Sequence, residues 1–171
     1  MLRPDYPIET ERLLLRPYRA ADIDVLHDIQ SRPQVVRYLD WEPRTRERVE
    51  QVIRESTAQI EAEGQSLQLA IQPRGSDSMV GDVILMYVSE AHRQGEIGYV
   101  LHPDHQGHGY ATEAAREMLR LGFEQLGLHR IIGRLCLTFA DAVRAVAADP
   151  NPAGTAAARR GAQDERFQCH P

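Results

Sequence analysis

The chain reads as an α/β protein built on a mixed, mostly antiparallel sheet flanked by helices, with one β–α–β crossover inside it. Three observations predict this. The segments 67–72, 79–88 and 96–101 are β-prone and joined by short polar connections, the pattern of an antiparallel meander. A helical stretch from about Tyr110 to Leu126 follows the third segment across a glycine-containing turn. A further β-prone run, residues 129–135, comes after that helix, so it is expected to lie parallel to the strand before the turn.

The elements follow in order. Leu13 to Arg16 is an opening strand, and Ile23, Leu26 and Ile29 share one face of a short helix that ends before Pro33. Thr45 can cap a longer helix in which Val49, Val52, Ile53, Ser56 and Ile60 keep helical spacing, with Gly64 suited to the left-handed position after its end. Arg44, Arg46 and Arg48 read as the solvated face of that helix. Leu67, Leu69 and Ile71 alternate onto one face of the next strand, and the turn from Pro73 to Ser78 reverses the chain into Met79–Val88. The helix after the glycine turn stacks Ala111, Ala114, Ala115, Met118 and Leu126 on an apolar side, where small residues permit close approach to a sheet, and Gly127 closes it.

Composition bounds the function. With 171 residues, 42% of them hydrophobic and 26% charged, the chain suits one globular domain with an adequate core. A net charge of −5 and a pI near 5.8 disfavour a nucleic-acid surface, which needs a clustered basic face. Cys136 and Cys169 form neither a metal-ligand pair nor a secreted disulfide framework, so a reducing cytoplasm is expected. The N-terminal residues hold no apolar signal core and no segment approaches membrane-spanning length, so no membrane partner is expected. His102, His105 and His108 recur every third residue, but Pro103 and the glycines break any helix that would align them, and no metal is expected there.

The run Gln106-Gly107-His108-Gly109-Tyr110-Ala111-Thr112-Glu113 sits between a strand and a helix start. A helix N-terminus presents unpaired N–H groups and the positive end of its dipole, and glycines there let an anionic phosphate reach the backbone. In the preceding strand, period-two alternation puts Glu96, Gly98 and Val100 on one face and Ile97, Tyr99 and Leu101 on the other.

Gln106, Gly109 and Ala111 resemble motif A of the GCN5-related N-acetyltransferases: Gln or Arg, two residues, Gly, one residue, Gly or Ala. Two further segments agree in order. Glu9-Thr10-Glu11-Arg12-Leu13-Leu14-Leu15-Arg16-Pro17 resembles the opening strand, and Val35-Val36-Arg37-Tyr38-Leu39-Asp40-Trp41 the segment between the first two helices, of the subgroup containing ribosomal-protein N-terminal-alanine acetyltransferases. The resemblance covers residues 8 to about 136. It implies acetyl-coenzyme A as co-substrate, its pyrophosphate held by Gln106, Gly107, His108, Gly109, Tyr110, Ala111 and Thr112 and its pantetheine arm by Val100, Leu101 and His102. It also implies that the strands at 96–101 and 131–135 splay to leave a cleft, where a primary amine, on a peptide N-terminus or a small molecule, attacks the thioester directly. Direct attack requires a neutral amine and a donor to the thioester oxygen. Glu96 is the expected base, directly or through water, and the amide of Val100 or Leu101 the expected donor. Trp41 and Tyr38 suit either an amine pocket or packing beneath a loop.

After Cys136 the chain departs from the family's pattern. The Asn and the following Ser are missing: Asn151 is the only asparagine in the chain, and no serine follows Ser89. No tyrosine follows Tyr110, whereas many family members protonate the coenzyme thiolate with one from this region. The chain divides into an acetyltransferase domain, residues 1–136, and an atypical tail, 137–171, whose Ala, Arg, Pro and Gly content is what an out-of-frame reading of GC-rich DNA gives. A frameshifted tail leaves two readings: an N-acetyltransferase, or a non-catalytic acyl-coenzyme A-binding remnant with an incomplete acceptor site. It would also leave an apolar edge that invites a homodimer.

Overall fold

A computed structural model describes residues 1–36, 39 and 41–133. Among these residues, one six-stranded sheet runs in sequence order: β1 (Ile8–Glu9), β2 (Leu13–Arg16), β3 (Ser66–Pro73), β4 (Gly81–Ser89), β5 (Gln94–Leu101) and β6 (Arg130–Gly133). Every neighbouring pair is antiparallel except β5 and β6, which are parallel. The mixed, mostly antiparallel sheet and its single crossover therefore match the sequence expectation.

The two faces of the sheet carry different chemistry because side chains alternate along each strand. Leu13, Leu15, Leu67, Leu69, Ile71, Val83, Leu85, Ile97 and Leu101 form one buried surface, covered by Ala114, Ala115 and Met118 of α4 (Tyr110–Arg120). The small side chains of Ala114 and Ala115 let that helix sit close, as its spacing predicts. The last turn widens into a π turn, Leu121–Gln125, where the Leu126 N–H reaches back to Leu121 O. The opposite face packs under α1 (Ile23–Gln30) and α3 (Arg46–Glu55), with Leu26, Val49, Ala70 and Met79 in a smaller core. A single turn, α2 (Pro33–Val36), begins at the proline that stops α1.

Thr45 caps α3 by accepting from the Arg48 N–H at 3.3 Å. The helix ends earlier than its apolar spacing predicts. Ser56 turns extended, with ψ 137°, and its hydroxyl donates to Ile53 O at 2.8 Å. Ile60 leaves the helical register to bridge Leu2, with N–H to O distances of 2.7 and 2.9 Å in the two directions. Gly64 does adopt a left-handed φ of 85°, but in the turn that enters β3. Arg44 also differs from expectation. It precedes the cap, is half-buried, donates to Gln30 Oε1 at 3.0 Å and lies 4.0 Å over the Trp41 ring, so it is packed inward instead of solvated.

Candidate active site

β5 and α4 meet at the loop that the sequence singled out. His102 caps a short 3-10 turn, Pro103–His105, its Nδ1 accepting from the Asp104 N–H at 3.2 Å. Gln106 reaches back, its Nε2 3.4 Å from Leu101 O. Gly107 and Gly109 then adopt φ of 78° and 79°, the left-handed region that glycine enters without a Cβ penalty. Gly109 is the N-cap of α4, and having no side chain it cannot satisfy the helix's first N–H groups. The Gln106 N–H is spent on Pro103 O and the Glu113 N–H on Gly109 O, but no hydrogen bond among the described residues starts from the amides of residues 107 to 112. Exposed N–H groups on left-handed glycines at a helix start fit an oxyanion ligand such as pyrophosphate.

β5 shows the alternation read from the sequence. Ile97 and Leu101 are buried in the larger core, while Glu96, Gly98 and Val100 are half-buried on the other face. Glu96 stands opposite Met86 on β4 and Ile132 on β6. The His102 N–H donates to Val80 O at 2.8 Å. Alternation then turns the Val100 N–H toward β4 as well and the Leu101 N–H away from it. The described pairing of β6 reaches Ile97↔Gly133, so Val100 and Leu101 lie past its described part.

The three histidines have different partners. His102 Nε2 lies 2.9 Å from Asp28 Oδ2, tying the end of β5 to α1, and His105 meets His102 edge-on at 5.8 Å. His108 stacks on Tyr110 at 5.6 Å, with its Nδ1 3.0 Å from Gln106 O. Asp28 is held below the ordinary carboxylate range by the Arg32 hydrogen bond first and then by His102. Asp24, Val25, Asp28, Ser78, Met79, His102 and His105 line an open groove of about 340 Å³ beside the strand end. Tyr38, Cys136 and Cys169 lie outside the described residues.

Sequence reasoning missed a buried polar group behind Val100. Asp82, its partner across β4 and β5, is 3% exposed and accepts from the Tyr18 hydroxyl at 2.9 Å and from Gln30 Nε2 at 3.4 Å. Burial pushes its carboxyl up to about 6, against the pull of the Tyr18 hydrogen bond, the Arg44 charge and the Gln30 amide. Burial and then the Asp82 charge push the Tyr18 hydroxyl well above the phenol range, so it remains a donor.

A carboxyl whose folded pKa is raised binds more protons folded than unfolded, so its contribution falls as pH rises from the ordinary carboxylate value toward about 6 and is level above that. Asp82→Asn is expected to remove a decline of up to about 3 kcal/mol across this window. Urea unfolding of both proteins at the two ends of the window checks this; parallel pH profiles would contradict it.

Known proteins share this fold. A model described as Acetyltransferase (GNAT) domain matches residues 12–151. The uncharacterized N-acetyltransferase YoaA of Bacillus subtilis (strain 168) is 32% identical over 129 residues, covering 74% of this chain and 72% of YoaA. An acetyltransferase (GNAT family) from Bacillus anthracis superposes with a TM-score of 0.68 at 28% identity, covering 80% of this chain and 78% of its own. The same fold recurs, with a TM-score of 0.65 and 22% identity over 79% of this chain and 78% of the other, in a spermidine N-acetyltransferase from Vibrio cholerae in complex with CoA and spermine.

Proposed function

The chain belongs to the GNAT acetyltransferase family, and from that premise we propose that it moves the acetyl group of acetyl-coenzyme A onto a primary amine by direct attack. The observation that carries this reading is the run of backbone amides at residues 107 to 112 that make no hydrogen bond among the described residues, on two left-handed glycines at the start of α4. Gln106, Gly107, His108, Gly109, Tyr110, Ala111 and Thr112 hold the pyrophosphate; Val100, Leu101 and His102 lie along the pantetheine arm. Acetyl-coenzyme A supplies an acyl group already activated as a thioester, so no covalent intermediate on the protein is needed.

Each protein group then has one task. The Leu101 N–H, turned away from β4, is the better placed of the two expected donors to the thioester oxygen, because the Val100 N–H faces β4. Glu96 takes the proton that the amine loses on attack, directly or through water, and as the amide bond forms the carbon–sulfur bond breaks, the coenzyme A thiolate leaving with a proton from solvent. The acceptor is a peptide N-terminus or a small amine; the spermidine enzyme that shares the fold makes polyamines the first small amines to try. Residues 1–136 form the acetyltransferase domain, with 137–171 an atypical tail. Finding the family's Asn and Ser in another reading frame of the gene would support a frameshift.

Glu96→Gln is expected to lower kcat about 10²- to 10⁴-fold while leaving coenzyme A affinity unchanged. Steady-state kinetics beside a thermal shift with acetyl-coenzyme A make the test. A kcat within twofold of wild type removes Glu96 from the reaction, and no thermal shift in the wild type removes the cofactor reading itself.

A further inference from the structure

Two sequence motifs more than a hundred residues apart close on each other at the glycine loop. Glu113, in the first turn of α4, accepts three hydrogen bonds from the β1–β2 connection. These are Thr10 Oγ1 to Oε1 at 2.6 Å, the Arg12 N–H to Oε1 at 2.7 Å and Arg12 Nε to Oε2 at 2.7 Å. Arg12 continues past the carboxylate. A terminal nitrogen of its guanidinium donates to His108 O at 2.9 Å, and its Cζ lies 5.4 Å from the Tyr110 ring centre. The other terminal nitrogen is 3.2 Å from where a Cβ on Gly109 would stand. Arg12 is itself held from behind, because Arg74 donates its N–H to Arg12 O at 2.8 Å and its Nε to Thr10 O at 2.9 Å.

Two physical consequences follow. His108 O and the Gly109 N–H belong to one planar trans peptide unit and point in opposite directions, so holding the oxygen fixes where that amide aims. Glu113 also places a negative charge at the positive end of α4, where it competes with any anion for the same dipole. The Arg12 guanidinium, in direct contact with the carboxylate, cancels that charge.

We propose that Arg12 and Glu113 form a positioning clamp that presets the 107–110 backbone for coenzyme A and neutralises the helix start against it. Thr10 is its third member. This rests on the cofactor reading above, and neither side chain takes part in the chemistry. It gives the opening Thr-Glu-Arg segment a role in cofactor affinity, although that segment belongs to the far edge of the sheet.

The test is calorimetric titration with coenzyme A of the wild type, Arg12→Ala, Arg12→Lys and the double variant Arg12→Ala/Glu113→Gln, with each fold checked by circular dichroism. Arg12→Ala is expected to weaken binding about 10- to 100-fold. Arg12→Lys, which keeps the charge but cannot span both partners, falls between. The double variant recovers several-fold over Arg12→Ala, because the uncompensated carboxylate is gone; a purely structural loss would not be relieved this way. In turnover, the KM for acetyl-coenzyme A rises while kcat stays within about twofold. Wild-type affinity in Arg12→Ala, or no recovery in the double variant, overturns the clamp. A wild type that binds no coenzyme A overturns the cofactor reading and the clamp with it.

Discussion

Asp22→Leu is expected to lower the unfolding free energy by about 3–5 kcal/mol. Arg16 and Asp22 are 3% and 4% exposed, and they meet as a two-pronged pair, at 2.7 and 2.9 Å. Asp22 also accepts from the Arg19 N–H at 2.7 Å, which bends the chain from β2 into α1, and Arg16 Nε donates to the Gln72 side chain on β3. Removing the carboxylate strands a guanidinium away from water, and that unpaired charge accounts for most of the cost. Arg16→Met/Asp22→Leu should therefore lose less than either change adds alone. Urea midpoints at unchanged slope measure both effects. A loss under about 1 kcal/mol for Asp22→Leu would show that the pair is dispensable.

Gly81→Ala ranks second, and it links stability to the site. Gly81 starts β4 opposite Leu101, and a Cβ there would lie 2.2 Å from Val100 O and 2.9 Å from Leu101 Cα. Both are backbone atoms that no side-chain rotation can move, so β4 and β5 must separate where the proposed cofactor strand ends. A cost above about 2 kcal/mol is expected. Coenzyme A affinity should fall further than in a surface variant of equal stability, because Leu101 N–H shifts with its strand. Unfolding and coenzyme A titration on the same preparation test this; unchanged affinity in a destabilised variant would separate the strand's position from binding.

Much of this was legible because local patterns agreed with tertiary ones. Leu67, Leu69 and Ile71 alternate in the sequence and are fully buried on one face of β3. The glycine loop lay between a β-prone and a helical run and lies between β5 and α4. The failures have a common physical cause. Ile60 keeps helical spacing by coincidence, and its true partner, Leu2, is remote in the chain. Arg44 shares an i, i+2, i+4 pattern with Arg46 and Arg48, yet it precedes the cap and turns toward Gln30 and Trp41. Asp82 interrupts an apolar strand with no local sign that Tyr18 and Gln30 will meet it. Arg12 and Glu113 each stood in a quoted motif, but only the closed sheet shows that the two motifs touch. Periodicity reports which face a residue takes; it does not report which distant residue shares that face.

Thiol release from acetyl-coenzyme A, with and without a panel of N-terminal peptides and polyamines, tests the proposed acetylation of an amine. Release is expected to depend on at least one amine, with one thiol formed per acetylated product. Tight binding of acetyl-coenzyme A with no amine-dependent thiol release would contradict it and leave a cofactor-binding remnant in its place.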